Sequence, residues 1–174
     1  MSQYIKPITN EEASEAVQQI FQNFIDKSGS VPSWARVMAH RPEILRNFIQ
    51  LFTTIMGPGL VEQDNKWKCA SAVSHINKCH YCIGVVEGML IKLGVPSENI
   101  KDVVTDEKAN LKPDEQIAVR YAEAVTKDAV NIPPEVSEEL KKYYNEDQII
   151  ELTSAIGLFN YVNRFNDALG VRPE

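Results

Sequence analysis

Arg41-Pro42-Glu43-Ile44-Leu45-Arg46-Asn47-Phe48-Ile49-Gln50-Leu51-Phe52-Thr53-Thr54-Ile55-Met56-Gly57-Pro58-Gly59 sets a pattern that most of the chain repeats. Its large apolar residues Ile44, Leu45, Phe48, Ile49, Phe52 and Ile55 return at intervals of three and four. That is the period of one helix face, whereas a half-buried strand alternates every second residue. Pro42 suits a first helical turn, where its missing N–H costs nothing, and Gly57-Pro58-Gly59 closes the helix.

The same reading extends in both directions. Thr9-Asn10-Glu11-Glu12 has the form of a capping box. It predicts a helix carrying Ala13, Val17, Ile20, Phe21, Phe24 and Ile25 on one side, ended by Ser28-Gly29-Ser30. Val31-Pro32-Ser33-Trp34 restarts the chain as a short helix through Met38. Downstream, a polar start at Glu62-Gln63-Asp64 runs towards Ile76, Asn77-Lys78 is a break, and a second helical stretch covers about Cys79 to Leu93 before Gly94 and Pro96. Residues 97–112 are more polar, a short helix and a loop.

Pro113-Asp114-Glu115 combines a proline in the first turn with acids at the positive end of the helix dipole, and predicts a helix to Asp128. Pro133-Pro134 opens another over 135–144, and Asn145 with Gln148 caps a closing helix from Ile149 to Leu169. Alternating β-branched runs, internal repeats and long linkers are missing from the sequence. The expectation is one all-α domain over residues 1–174, with seven or eight helices.

Composition narrows the partners. The chain has 174 residues, 44% of them hydrophobic, enough for one well-filled core. Its 18 basic and 24 acidic residues leave a net charge of −6, the wrong sign for nucleic acid or an anionic membrane surface. No stretch approaches the ~18 consecutive apolar residues of a membrane-spanning helix. Met1-Ser2-Gln3-Tyr4-Ile5-Lys6-Pro7 lacks the apolar core of a secretory signal. Three cysteines are too few for a disulfide scaffold. A cytoplasmic location is expected, and there closely spaced cysteines point to redox or metal chemistry.

Asn77-Lys78-Cys79-His80-Tyr81-Cys82 is where that chemistry would lie. Two cysteines three apart on a helix share a face, with Cβ atoms about 5–6 Å apart. A disulfide prefers ~3.8 Å, so the bond would form with some strain, and strained, accessible disulfides are the easily reduced ones. A helix starting near Asn77 would add its unpaired first-turn N–H groups, with Lys78, to the stabilisation of a thiolate. Two alternatives stand beside this: a pair of buried small hydrophobes, or half of a zinc site whose remaining ligands the sequence does not supply. Cys69, among Ala70, Ala72 and Val73, reads as core.

Of three histidines, His75 lies four residues before Cys79 and seven before Cys82. An unbroken helix would put all three within an arc of roughly 60°, and a break at Asn77-Lys78 would undo the alignment. His80 points about 100° from Cys79 on a helix, and His40 reads as a loop or capping residue. The closing helix is apolar around most of its middle, from Ile149 to Phe165, and so is either central to the core or shared with another subunit. Asn163 and Arg164 near its end are structural or substrate-facing.

Taken together these residues resemble the alkylhydroperoxidase D-like, or carboxymuconolactone decarboxylase, family. The resemblance is carried by Gly29-Ser30-Val31-Pro32, Arg41-Pro42-Glu43-Ile44-Leu45 and Ala72-Val73-Ser74 leading into the Cys79–Cys82 motif. Leu111-Lys112-Pro113-Asp114-Glu115 and the tail from Phe159 through Asn163-Arg164-Phe165 to Gly170 complete it. It implies an AhpD-like helical bundle assembling as homotrimers or homohexamers. It implies a peroxidatic Cys82, a resolving Cys79 and no bound cofactor or metal. The electrons would come from an external dithiol, a thioredoxin-like or lipoyl reductant, and the substrate would be a small hydroperoxide. Tyr81 becomes a candidate hydrogen-bond donor, with His75, Lys78 and His80 in support. Two features of the family's peroxidases are replaced: their relay glutamate falls at Trp67 and their relay histidine at Val86. Glu87 is one residue out of register, and Glu62 and Asp64 are also off it. The family's lactone decarboxylation, and a helical oligomer with a vestigial redox switch, remain as alternatives.

Overall fold

A computed structural model describes residues 5–172, and Met1–Tyr4 of the N-terminal segment read above for targeting lie outside it. Nine α-helices and no strand occur among the described residues: α1 Glu15–Ser28, α2 Ser33–Met38, α3 Pro42–Met56, α4 Gln63–Ile76, α5 His80–Lys92, α6 Ser97–Asp102, α7 Pro113–Asp128, α8 Pro134–Tyr143 and α9 Glu146–Leu169. The all-α expectation holds, with nine helices among the described residues against the seven or eight expected. No helix is long and apolar enough to cross a membrane.

One boundary moved for a clear reason. Thr9 and Glu12 do make the reciprocal bonds of a capping box, Thr9 N–H to Glu12 at 3.0 Å and Glu12 N–H to the Thr9 hydroxyl at 3.3 Å. They close a turn, because Ser14 is extended (φ −64°, ψ 159°) and α1 begins only at Glu15. The Asn145–Gln148 box, by contrast, caps α9 as expected, each backbone N–H bonding the other's side chain at 3.0 Å. Gly29, left-handed at φ 83°, ends α1 by donating to Ile25 O.

The chain groups into two compact units, Met1–Thr53 with Phe165–Glu174, and Thr54–Arg164. In the first, Val17, Phe21, Val31, Ala35, Leu45 and Phe48 are buried. Edge-on rings link its helices, Phe24 to Trp34 at 5.7 Å and Trp34 to Phe48 at 5.2 Å.

The second unit is built around α4, which packs on α5 and α7, while α7 packs on α8. Every residue of α4 from Asn65 to Ser74 is buried, although the segment contains two lysines. Each lysine is matched. Lys66 donates to Ile55 O and Gly57 O and pairs with Glu151. Lys68 pairs with Asp64 at 2.7 Å and Glu115 at 3.0 Å. Buried charge is tolerable only with such partners, because desolvation otherwise costs several kcal/mol per ion. Glu115 also accepts the Lys112 N–H at 3.0 Å, so the carboxylate that starts α7 is the one that neutralises α4.

Candidate functional site

Helix α4 stops at Asn77 because Lys78 adopts φ +58°, a left-handed conformation that a residue with a Cβ enters at a cost. Asn77 N–H still reaches Val73 O at 3.0 Å, Lys78 N–H turns to His75 O at 3.1 Å, and Cys79 N–H reaches back to Ser74 O at 3.0 Å. This is a helix end with a lysine where glycine is usual. The chain then restarts with Cys79 as the N-cap of α5, extended at φ −79° and ψ 90°, and Ile83 N–H donates to Cys79 O at 2.9 Å.

Cys79 and Cys82 are joined by a disulfide, their Cα atoms 5.3 Å apart. They do not share one helix face as a continuous helix would have arranged. Cys79 lies at the cap and Cys82 in the first turn, so a thiolate at either position meets the positive end of the α5 dipole. Access differs from the expectation. None of the Cys79 surface and only 2% of that of Cys82 is exposed, so the disulfide lies beneath the surface of the chain. For Cys82 the helix face explains this: Cys82, Val86 and Leu90 form the inward stripe of α5.

The supporting candidates separate. Lys78 and His80 are exposed, and Tyr81 is half-buried. His75, on the far side of the break at Asn77-Lys78, has its Nε2 3.4 Å from Glu87 Oε1. Sequence register set Glu87 aside, and the antiparallel return of α5 along α4 is what brings it to His75. His40 is a loop residue bonded to Lys6 O at 2.8 Å. Cys69 is a buried free thiol, which burial pushes up to about 12. No three His, Cys, Asp or Glu side chains among the described residues form a group able to hold a metal ion.

A polar cluster that the sequence reading left undecided braces the turn. Asn77 Nδ2 donates to Asn160 Oδ1 at 3.1 Å and to Asn163 Oδ1 at 3.0 Å, both on α9. Asn163, fully buried, donates in turn to Ser74 Oγ at 3.2 Å. Arg164 folds back on Asn160, bonding its Oδ1 at 2.7 Å. Asn163 is therefore a structural contact of the site, not a substrate-facing group.

No protein-family model matches the sequence. Over 102 residues, 58% of this chain and 69% of the relative, it is 26% identical to YdfG, an uncharacterized protein of Bacillus subtilis (strain 168). Among solved structures, the AhpD core of a peroxidase-related protein from Ralstonia eutropha JMP134 superposes with a TM-score of 0.87 at 21% identity, covering 100% of this chain and 94% of that one. The chain has the AhpD-like fold. A peroxidase-related protein from Silicibacter sp. TM1040 shares that fold with a TM-score of 0.84 at 23% identity, over 100% of this chain and 91% of the other. The debrominase Bmp8 does so as well, with a TM-score of 0.84 at 22% identity over 100% and 94%. Trp67 is 4% exposed and packs edge-on to Phe159 at 5.6 Å, and Val86 is fully buried.

Proposed function

We propose that this chain is a thiol-dependent oxidoreductase of the AhpD-like family, which reduces hydroperoxides, or exchanges with a partner disulfide, through Cys79 and Cys82. The observation that carries the reading is the disulfide between these residues at the N-terminus of α5 in an AhpD-like fold. In the reduced protein, the Cys82 thiolate attacks the terminal hydroperoxide oxygen and the O–O bond breaks. The alkoxide leaves and takes a proton, and Cys82 becomes a sulfenic acid. The Cys79 thiolate then displaces that oxygen as water and closes the disulfide. An external dithiol returns two electrons and two protons by exchange. With Trp67 and Val86 in the relay positions, thiolate formation rests on the α5 dipole, Lys78, and His75 or His80, and turnover is slow. Both sulfurs are covered, so peroxide and reductant reach them when the α4–α5 turn opens. Assembly into homotrimers or homohexamers, in the cytoplasm, belongs to the same proposal. The exposed Ile150, at 65%, and Tyr161, at 44%, on α9 support an apolar contact between subunits.

The test is dithiol-driven hydroperoxide turnover, with mass spectrometry of the 79–82 peptide after stoichiometric peroxide. Wild type forms the disulfide and turns over, Cys82→Ser is inactive, and Cys79→Ser stops at the sulfenic acid. Turnover that survives both substitutions rejects the reading. The whole-chain match to the debrominase Bmp8, also solved in complex with 2,3,4-tribromopyrrole, favours a second substrate class, a polybrominated pyrrole. There a C–Br bond would give way to C–H with release of HBr while the dithiol becomes the disulfide, so this substrate belongs in the same assay. Cysteine-independent turnover of a lactone would favour the decarboxylase alternative. Two thiols titrating near the ordinary ~8.5 and resisting mild oxidation would favour the vestigial switch.

A further inference from the structure

We infer that Asn163 is a positioning residue that sets the disulfide–dithiol equilibrium of Cys79 and Cys82 by gripping the turn between α4 and α5. The inference rests on the redox reading above. One buried amide grips the C-terminal end of α4 at two points: its Oδ1 accepts from Asn77 Nδ2 at 3.0 Å, and its Nδ2 donates to Ser74 Oγ at 3.2 Å. Ser74 is also the residue whose carbonyl accepts the Cys79 N–H at 3.0 Å, and its hydroxyl is fixed on Ala70 O at 2.8 Å. The backbone bonds of the turn are local, all between residues 73 and 79, and they include Lys78 in its unfavourable left-handed conformation. Asn163 is 86 residues from Asn77 and 89 from Ser74, and it ties that local structure to the core of the second unit.

Its effect on the cysteines follows from preorganisation. Reduction releases the covalent link between residues 79 and 82. A free turn would then relax, and re-forming the disulfide would require its entropy to be given up again. A turn held in one geometry keeps the two thiols at high effective concentration and favours the disulfide. Two hydrogen bonds lost mainly from the oxidised form shift such an equilibrium by roughly tenfold. For this two-electron couple that is about 30 mV. Asn160 bonds Asn77 as well, at 3.1 Å, but makes no bond to Ser74, so it grips the end of α4 at one point only.

The experiment equilibrates wild type, Asn163→Ala, Asn77→Ala and the double variant in glutathione buffers of defined ratio. Alkylation and intact mass give the oxidised fraction, and circular dichroism confirms the fold. Expected are shifts of roughly tenfold towards the dithiol for Asn163→Ala, a similar shift for Asn77→Ala, and little more for the double variant, since both remove one shared brace. A folded Asn163→Ala with the wild-type equilibrium overturns the inference, as do fully additive shifts. Should Asn163→Ala fail to fold, Ser74→Ala and Asn77→Ala carry the test from the turn side, and unchanged equilibria in both overturn it. A wild-type pair that does not exchange with glutathione at all sinks the redox reading and this inference together. A pair that exchanges but ignores Asn163 sinks only the inference.

Discussion

Replacing Gly59 by alanine tests the brace that lets α4 lie in the interior. A Cβ at Gly59 would stand 2.7 Å from Glu151 Cδ and 2.8 Å from its Oε2, closer than real contacts allow. The glutamate can swing aside at little steric cost, and the consequence is electrostatic. Glu151 accepts the Leu60 N–H at 2.8 Å and neutralises Lys66, whose side chain has no exposed surface. Once the carboxylate moves, Lys66 retains Ile55 O at 2.9 Å and Gly57 O at 2.6 Å but loses its counter-ion. Removing one partner of a buried pair costs about 3–5 kcal/mol, and the two remaining carbonyls bring the expected loss down to about 2–3 kcal/mol. With a urea dependence of about 2 kcal/mol per molar, the unfolding midpoint falls by about 1–1.5 M. The sign with pH is fixed too. Burial pushes the Glu151 carboxyl up, but Lys66 and the Leu60 and Val61 N–H groups together hold it below the ordinary glutamate value. Its folded value is thus depressed, so the pair's stability is present above the unfolded value and is lost as pH falls through the folded one. The gap between wild type and Gly59→Ala should close below about pH 4. In a Lys66→Met/Glu151→Leu background, Gly59→Ala should cost almost nothing more. A variant within about 0.5 kcal/mol of wild type at neutral pH, or an undiminished cost in that background, refutes the reasoning.

Two further outcomes can be read at the bench. Burial pushes the Cys69 thiol up to about 12, so in the reduced native protein at pH 8 iodoacetamide should spare Cys69 and label it only after denaturation. Early labelling of Cys69 would mean that α4 is not packed as described. Lys78→Gly removes the left-handed penalty at φ +58° and should raise stability by about 0.5–1 kcal/mol in thermal or urea unfolding. Lys78→Asn, which tolerates the same conformation without charge, separates backbone from electrostatics: equal upward shifts of the reactive thiol in both variants assign that contribution to the ammonium group.

How much of this was legible in the sequence depended on whether the signal was local. Pro42, Pro113, Pro134, the Asn145–Gln148 box and Gly29 act within one turn of chain, and the helix ends they mark lie within a few residues of where they were expected. Thr9–Glu12 was the exception, because the box formed while an extended Ser14 kept it from leading into a helix. Burial was harder to read. Lys66 and Lys68 put two charges in the middle of α4, yet it is the most enclosed helix of its unit. Asp64 lies only four residues from Lys68, but Glu151 and Glu115, which complete the neutralisation, lie 85 and 47 residues from Lys66 and Lys68, and no window along the chain brings them together.

The site divides along the same line. The cysteine pair, the break before it and the helix starting at the first cysteine are short-range features, and the sequence motif was enough to locate them. The solvent exposure of the sulfurs was inferred from the reactivity that motif suggests, and it was the part that failed. A residue in the first turn of a helix is placed inside or outside by the stripe it belongs to. Cys82 shares its stripe with Val86 and Leu90, which the packing of α5 on α4 turns inward. Reactivity then has to come from opening of the turn. A lysine in the left-handed position makes that turn easier to disturb than glycine would, and the Asn77–Asn163–Ser74 bonds oppose the disturbance. On this view Lys78 and Asn163 act in opposite directions on one equilibrium. Lys78→Gly should tighten the closed form and slow reduction of the disulfide by dithiothreitol, while Asn163→Ala should hasten it. Rates that move together in the two variants would break the link between the turn and the thiols.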